Sequence, residues 1–95
     1  MFVLDIGQDA GALVVYTSAE LCDEEVEISY DDLAPARKVH TGVVRRSIGG
    51  RPVFAAVFPS LKAGSYTFWR PRPLPQSNCH VAAGEVTELD WRRVE

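Results

Sequence analysis

A chain of 95 residues, 46% of them hydrophobic, holds one domain (residues 1–95) with side chains enough for a packed core, and this composition excludes intrinsic disorder. The formal net charge of −3 is too small to project a strong field toward a partner, and it speaks against nucleic acid as a ligand. No run approaches the roughly 18 apolar residues of a membrane helix, so no membrane partner is expected.

The charge is unevenly distributed. From Met1 to Ala36 there are nine acids and no Lys or Arg; from Arg37 to Gly84 there are eight Lys or Arg and no acid. Acidic and basic strands lying side by side account for this by cross-strand pairing, and a bipolar surface for an anionic partner is the alternative. Met1 to Gly7 lacks a basic leader and a long apolar stretch, which argues against a signal peptide and for the cytoplasm. Cys22 and Cys79 lack a CxxC spacing and are expected as buried thiols in a reducing compartment.

In chain order, Ala12 to Thr17 reads as a strand covered on both faces. Ser18 to Glu24 has a capping serine and early acids, enough for one helical turn. Glu25 to Tyr30 alternates, with Val26, Ile28 and Tyr30 on one face and Glu25, Glu27 and Ser29 on the other. Asp31 to Arg37, containing Pro35, is a connection. Lys38 to Ile48 reads as one β-branched strand that Gly49-Gly50 folds back in a hairpin onto Arg51 to Phe58, with Pro59 closing it.

Lys62-Ala63-Gly64 is the next turn and Ser65 to Trp69 the next strand, with Tyr66 and Phe68 on one face. Arg70 to Gln76 (Arg-Pro-Arg-Pro-Leu-Pro-Gln) is expected as an extended, polyproline-like loop. Cys79 to Ala82 and Glu85 to Trp91 read as a last hairpin around Ala83-Gly84. About seven short strands separated by turn signals predict an all-β chain, an antiparallel two-sheet Greek-key sandwich.

From Phe54 to Trp91, an aromatic strand runs into Leu61-x-x-Gly64-x-Tyr66, and Gly84-Glu85 with Leu89 opens the final strand. This stretch resembles the ending of transthyretin-like (prealbumin-like) sandwich domains, among them carboxypeptidase-regulatory-like and Cna-B-type modules. The resemblance implies a transthyretin/immunoglobulin-like sandwich in which Leu61, Gly64 and Tyr66 build the fold. Two functions of that architecture do not carry over. The His/Arg/His set with a Tyr-Arg-Gly-Ser-like tail of hydroxyisourate hydrolases is missing, because this chain ends Leu-Asp-Trp-Arg-Arg-Val-Glu. The Lys and Asn of isopeptide-forming adhesin modules are also missing from the first and last strands.

Catalytic patterns are weak. Ser47, Ser60 and Ser65 lie in ordinary strand and turn contexts without a Gly-x-Ser-x-Gly elbow, so an enzyme is not expected. His40, His80, Cys22 and Cys79 are the soft metal ligands, and the neighbours Cys79 and His80 point to opposite faces of a strand, so neither a metal nor a cofactor is expected. Trp69, Arg70 and Arg72 remain as candidate binding residues, with Arg45 and Arg51 as further basic positions. Trp69 either packs on the proline segment or joins the arginines in a recognition surface. These residues point to a non-enzymatic interaction domain whose partner is a protein, or a second copy joined through edge strands. A carbohydrate- or small-ligand-binding module and a small hydrolase are the alternatives.

Overall fold

Two four-stranded sheets form where the alternating apolar segments bury one face against each other. The computed structural model describes residues 9–32, 35 and 37–92. The reading of Met1 to Gly7, and part of the Asp31 to Arg37 connection, fall outside them. The strands are β1 (Ala10–Thr17), β2 (Glu25–Tyr30), β3 (Lys38–Gly42), β4 (Val44–Ile48), β5 (Arg51–Lys62), β6 (Gly64–Arg70), β7 (Asn78–Val81) and β8 (Val86–Asp90), with a short 3-10 turn at Ala19–Leu21. One sheet has the order β4-β5-β1-β8 and the other β3-β2-β6-β7.

The core lies between the sheets. Leu13 and Val15 of β1, Ala56 and Phe58 of β5, Val26 and Ile28 of β2, Tyr66 and Phe68 of β6, and Val81 of β7 meet there, with Val43 from between β3 and β4 and Trp91 from just after β8. Burial of such side chains stabilises the fold by about 1.5–3 kcal/mol each before entropy is counted. β1 is apolar on both faces, as the sequence predicts, because it is a central strand; Ala12 and Val14 on its outer face are as fully buried as Leu13 and Val15.

Three expectations are corrected. The first sheet is mixed, since β1 runs antiparallel to β5 but parallel to β8, so the sandwich is not wholly antiparallel. The run from Lys38 to Ile48 is two strands in different sheets, and the chain crosses over at Val43. There the Val43 N–H donates to Glu24 O at 2.8 Å and its carbonyl accepts from the Asp23 N–H at 2.9 Å, so both backbone groups leave the ladder. The last hairpin is likewise a crossing between sheets: β7 pairs with β6 and β8 with β1, while Gly84 N–H donates to Ala10 O at 2.8 Å.

The Gly49-Gly50 hairpin forms as read, with φ of +59° and +78°. β5 runs through Pro59 instead of ending there. β4 pairs with β5 no further along than Ala55, and on the β1 side the register shifts between Gly11 and Leu13, so the missing proline N–H breaks no ladder bond.

A bulge positions the outer face of the second sheet. β2 and β6 pair Ile28 with Phe68 but Glu27 with Arg70, so Trp69 is the extra residue. Strict alternation would send Arg70 inward. The bulge instead turns both Trp69 and Arg70 to the outer surface.

Candidate interaction cleft

The segment Ser18 to Glu24 builds one wall. After the 3-10 turn, Cys22 N–H donates to Ala19 O at 3.0 Å and Glu24 N–H to Leu21 O at 2.9 Å. Asp23 then takes a left-handed conformation (φ +72°), one that Asp tolerates better than most residues. The two hydrogen bonds to Val43 clamp this corner to the point where the chain changes sheets.

The segment from Pro71 to Ser77 builds the other wall. It runs as a series of bends, not as the extended polyproline stretch expected, and the peptide bonds before Pro71 and Pro73 are cis. Pro71 is buried and Leu74 packs against the core. The Phe68 N–H donates to Ser77 O at 2.9 Å, and the Gln76 side-chain amide donates to Asn78 O at 2.7 Å. Trp91, only 4% exposed, closes the floor: its indole N–H donates to Gln76 Oε1 at 2.7 Å and its ring meets Phe68 edge-on, with centroids 5.2 Å apart.

Two adjoining hollows lie between the walls. One, of about 340 Å³, is mainly apolar and is lined by Leu21, Pro71, Leu74 and Trp91 among others, with Glu20 at its side. The second, of about 440 Å³, is lined by Asp23, Glu24, Glu25, Arg70, Pro71 and Arg72. Pro71 and Arg72 line both, so the two form one cleft with an apolar and a charged half. Both volumes fall within the range of pockets that take ligands. Beside it, a hollow of about 150 Å³ holds Glu25, Glu27, His40 and Arg70. Here His40 Nδ1 lies 2.7 Å from Glu25 Oε2, and Arg70 Nε lies 3.9 Å from Glu27 Oε1.

Of the residues singled out in the sequence, Arg70 and Arg72 reach the cleft. Trp69 does not. Its indole N–H donates to Ser29 Oγ at 2.9 Å on the outer face of β2, and Lys38 Nζ sits 4.2 Å from the ring centroid. The aromatic residue beside the prolines is therefore Trp91, which belongs to the core and also lines the apolar hollow. Arg45 on β4 and Arg51 at the start of β5 are exposed on the edge hairpin of the other sheet and line no part of the cleft. Leu21, Asp23 and Glu24 were missed: the corner that aims them depends on pairing with Val43, distant in sequence. The prolines flanking Leu74 were the visible signal.

Catalytic groups do not converge here. Ser65 Oγ lies 3.4 Å from His80 Nδ1, but both are exposed and line none of the three hollows. Cys79, on the same strand as His80, packs half-buried against the core, and burial first, then the Asp31 carboxylate, pushes its thiol up to about 11. Such a thiol is a poor nucleophile at neutral pH. Among the described residues no group of three His, Cys, Asp or Glu side chains is placed to hold a metal ion, and no helix is long and apolar enough to cross a membrane.

Compared with protein-family models, curated proteins and solved structures, the chain matches none.

Proposed function

We propose that this chain is a cytoplasmic, non-enzymatic interaction domain of transthyretin-like, Greek-key descent, and that it binds a protein segment in the cleft between Ser18–Glu24 and the Pro71–Ser77 loop. The observation that carries this reading is the apolar hollow of Leu21, Pro71, Leu74 and Trp91 opening directly onto charged Arg72. An apolar anchor site with a charged rim is how protein interfaces concentrate their binding energy. The walls are held by backbone hydrogen bonds at Val43 and Ser77, so little ordering cost falls on binding.

The test is photo-crosslinking in extract of the source organism, with a photoreactive residue in place of Arg72 or, as control, Arg51. A partner captured from position 72 and not 51, and lost when Leu21→Asp is added, is the expected result. Equal capture from both positions overturns the reading.

A second reading, a homo-oligomer joined at sheet edges, is favoured by Val39, Val44 and Val86. These are exposed by 40%, 47% and 37%, and each lies on an edge strand. Light scattering across a concentration series separates it: a mass fixed at that of the monomer removes it.

A further inference from the structure

The charges around the cleft are unequally engaged, and this imbalance specifies what can enter. Arg70 is held near Glu27, and Glu25 is bonded to His40. Among the described residues, the side chains of Glu20, Asp23 and Glu24 make no hydrogen bond or ion pair, and neither does that of Arg72. Three carboxylates thus stand against one guanidinium around an apolar floor.

Position adds order to this imbalance. Glu20 stands beside the apolar hollow, while Asp23 and Glu24 line the hollow that continues from it past Pro71 and Arg72. All three carboxylates sit on the Ser18–Glu24 wall, fixed by the Val43 clamp. A ligand lying along the cleft would therefore bury an apolar side chain over Leu21, Leu74 and Trp91 and present positive charge to that one wall.

We infer that the occupant is an extended peptide segment of a partner protein, carrying a large apolar residue with Lys or Arg close by in sequence. This rests on the proposed function above and names the partner's chemistry. An acidic segment would meet one free arginine and three like charges, and like-charge juxtaposition suppresses wrong partners. The carboxylates are exposed, so their contribution is specificity and association rate, and it weakens as salt is raised.

The experiment is selection of a random peptide display library on the intact domain, followed by binding of selected peptides to variants. Peptides pairing an apolar residue with Lys or Arg are expected. Their affinity should fall about tenfold in Glu20→Lys/Glu24→Lys, as the sum of several rim charge pairs. The neutral Glu20→Gln/Glu24→Gln gives a smaller loss in the same direction and supplies the readout should the reversed variant not fold. Selection of acidic peptides whose binding is lost in Arg70→Ala/Arg72→Ala overturns the inferred chemistry and keeps the cleft. Peptides indifferent to Leu21→Asp, or no selection at all, overturn the cleft reading together with it.

Discussion

The Tyr66 hydroxyl donates a 2.7 Å hydrogen bond to the carbonyl oxygen of Lys62, across the turn that carries the chain from one sheet to the other. Tyr30 donates to the neighbouring carbonyl of Ala63 at 3.3 Å, and the two rings lie 5.3 Å apart at 57°. Both hydroxyls therefore cap carbonyls that the turn leaves without ladder partners, and both rings remain in the apolar layer. Tyr66→Phe is expected to lower unfolding free energy by about 1 kcal/mol in a urea titration, with little change in slope.

Gly64 lies against that same pair. A Cβ there would stand 2.5 Å from the Tyr30 ring at a φ of +145°, so a side chain meets both a clash and a disfavoured backbone. Gly64→Ala should cost about 2–3 kcal/mol, measured in the same titration, and exceed the Tyr66→Phe effect.

The two tryptophans should respond to different degrees. Trp91 roofs the core and holds Gln76, so Trp91→Ala is expected to cost about 3–5 kcal/mol and to loosen the proline segment, read as faster limited proteolysis there. Trp69 lies outside the cleft, so Trp69→Phe should lose about 1 kcal/mol, through the Ser29 bond and the Lys38 contact, and leave peptide binding unchanged. A loss of binding in Trp69→Phe would restore the surface that the sequence suggested.

Alkaline pH should destabilise the domain. Burial holds the Cys79 thiol up at about 11 against an ordinary 9.0, and burial together with Glu88 raises Tyr16 to about 12 from 10.0. The native state keeps these protons when the unfolded chain has released them, so the stabilisation is full below about pH 9 and is lost as pH rises toward 11 and 12. Unfolding free energy measured against pH should therefore fall above pH 9, and Cys79→Ala should flatten the first part of that fall.

Asp23 allows charge to be removed without harming the corner it occupies. At φ +72° glycine is at ease, so Asp23→Gly is expected to stay within about 1 kcal/mol of the parent while weakening any bound basic peptide. Thermal unfolding and peptide titration on the same sample separate the two effects.

Local rules were enough for much of the fold. Val26 and Ile28 alternate with Glu25 and Glu27 and face the core as read, and Gly49-Gly50 turns as read. What could not be seen depends on partners distant in sequence. The bulge at Trp69 is a property of the β2–β6 pair, so nothing in the sequence signals that the strand runs on to Arg70 or that Trp69 and Arg70 share a face. The crossing at Val43 is fixed by Asp23 and Glu24, and a β-branched run gives no hint of it. The cleft was half legible for the same reason: its prolines and arginines share one stretch, whereas its acidic wall and Trp91 arrive from elsewhere in the chain.

The parallel pairing of β1 with β8 joins Ala12 to Val86 and Tyr16 to Asp90. β1 thus waits for a strand more than 70 residues further along the chain before its second side is satisfied. During synthesis β1 can already hold β5, yet the apolar edge next to it stays open until β8 emerges. Assembly should therefore be slow for so small a chain, and deletion of Val86–Asp90 should yield aggregates rather than a shortened monomer.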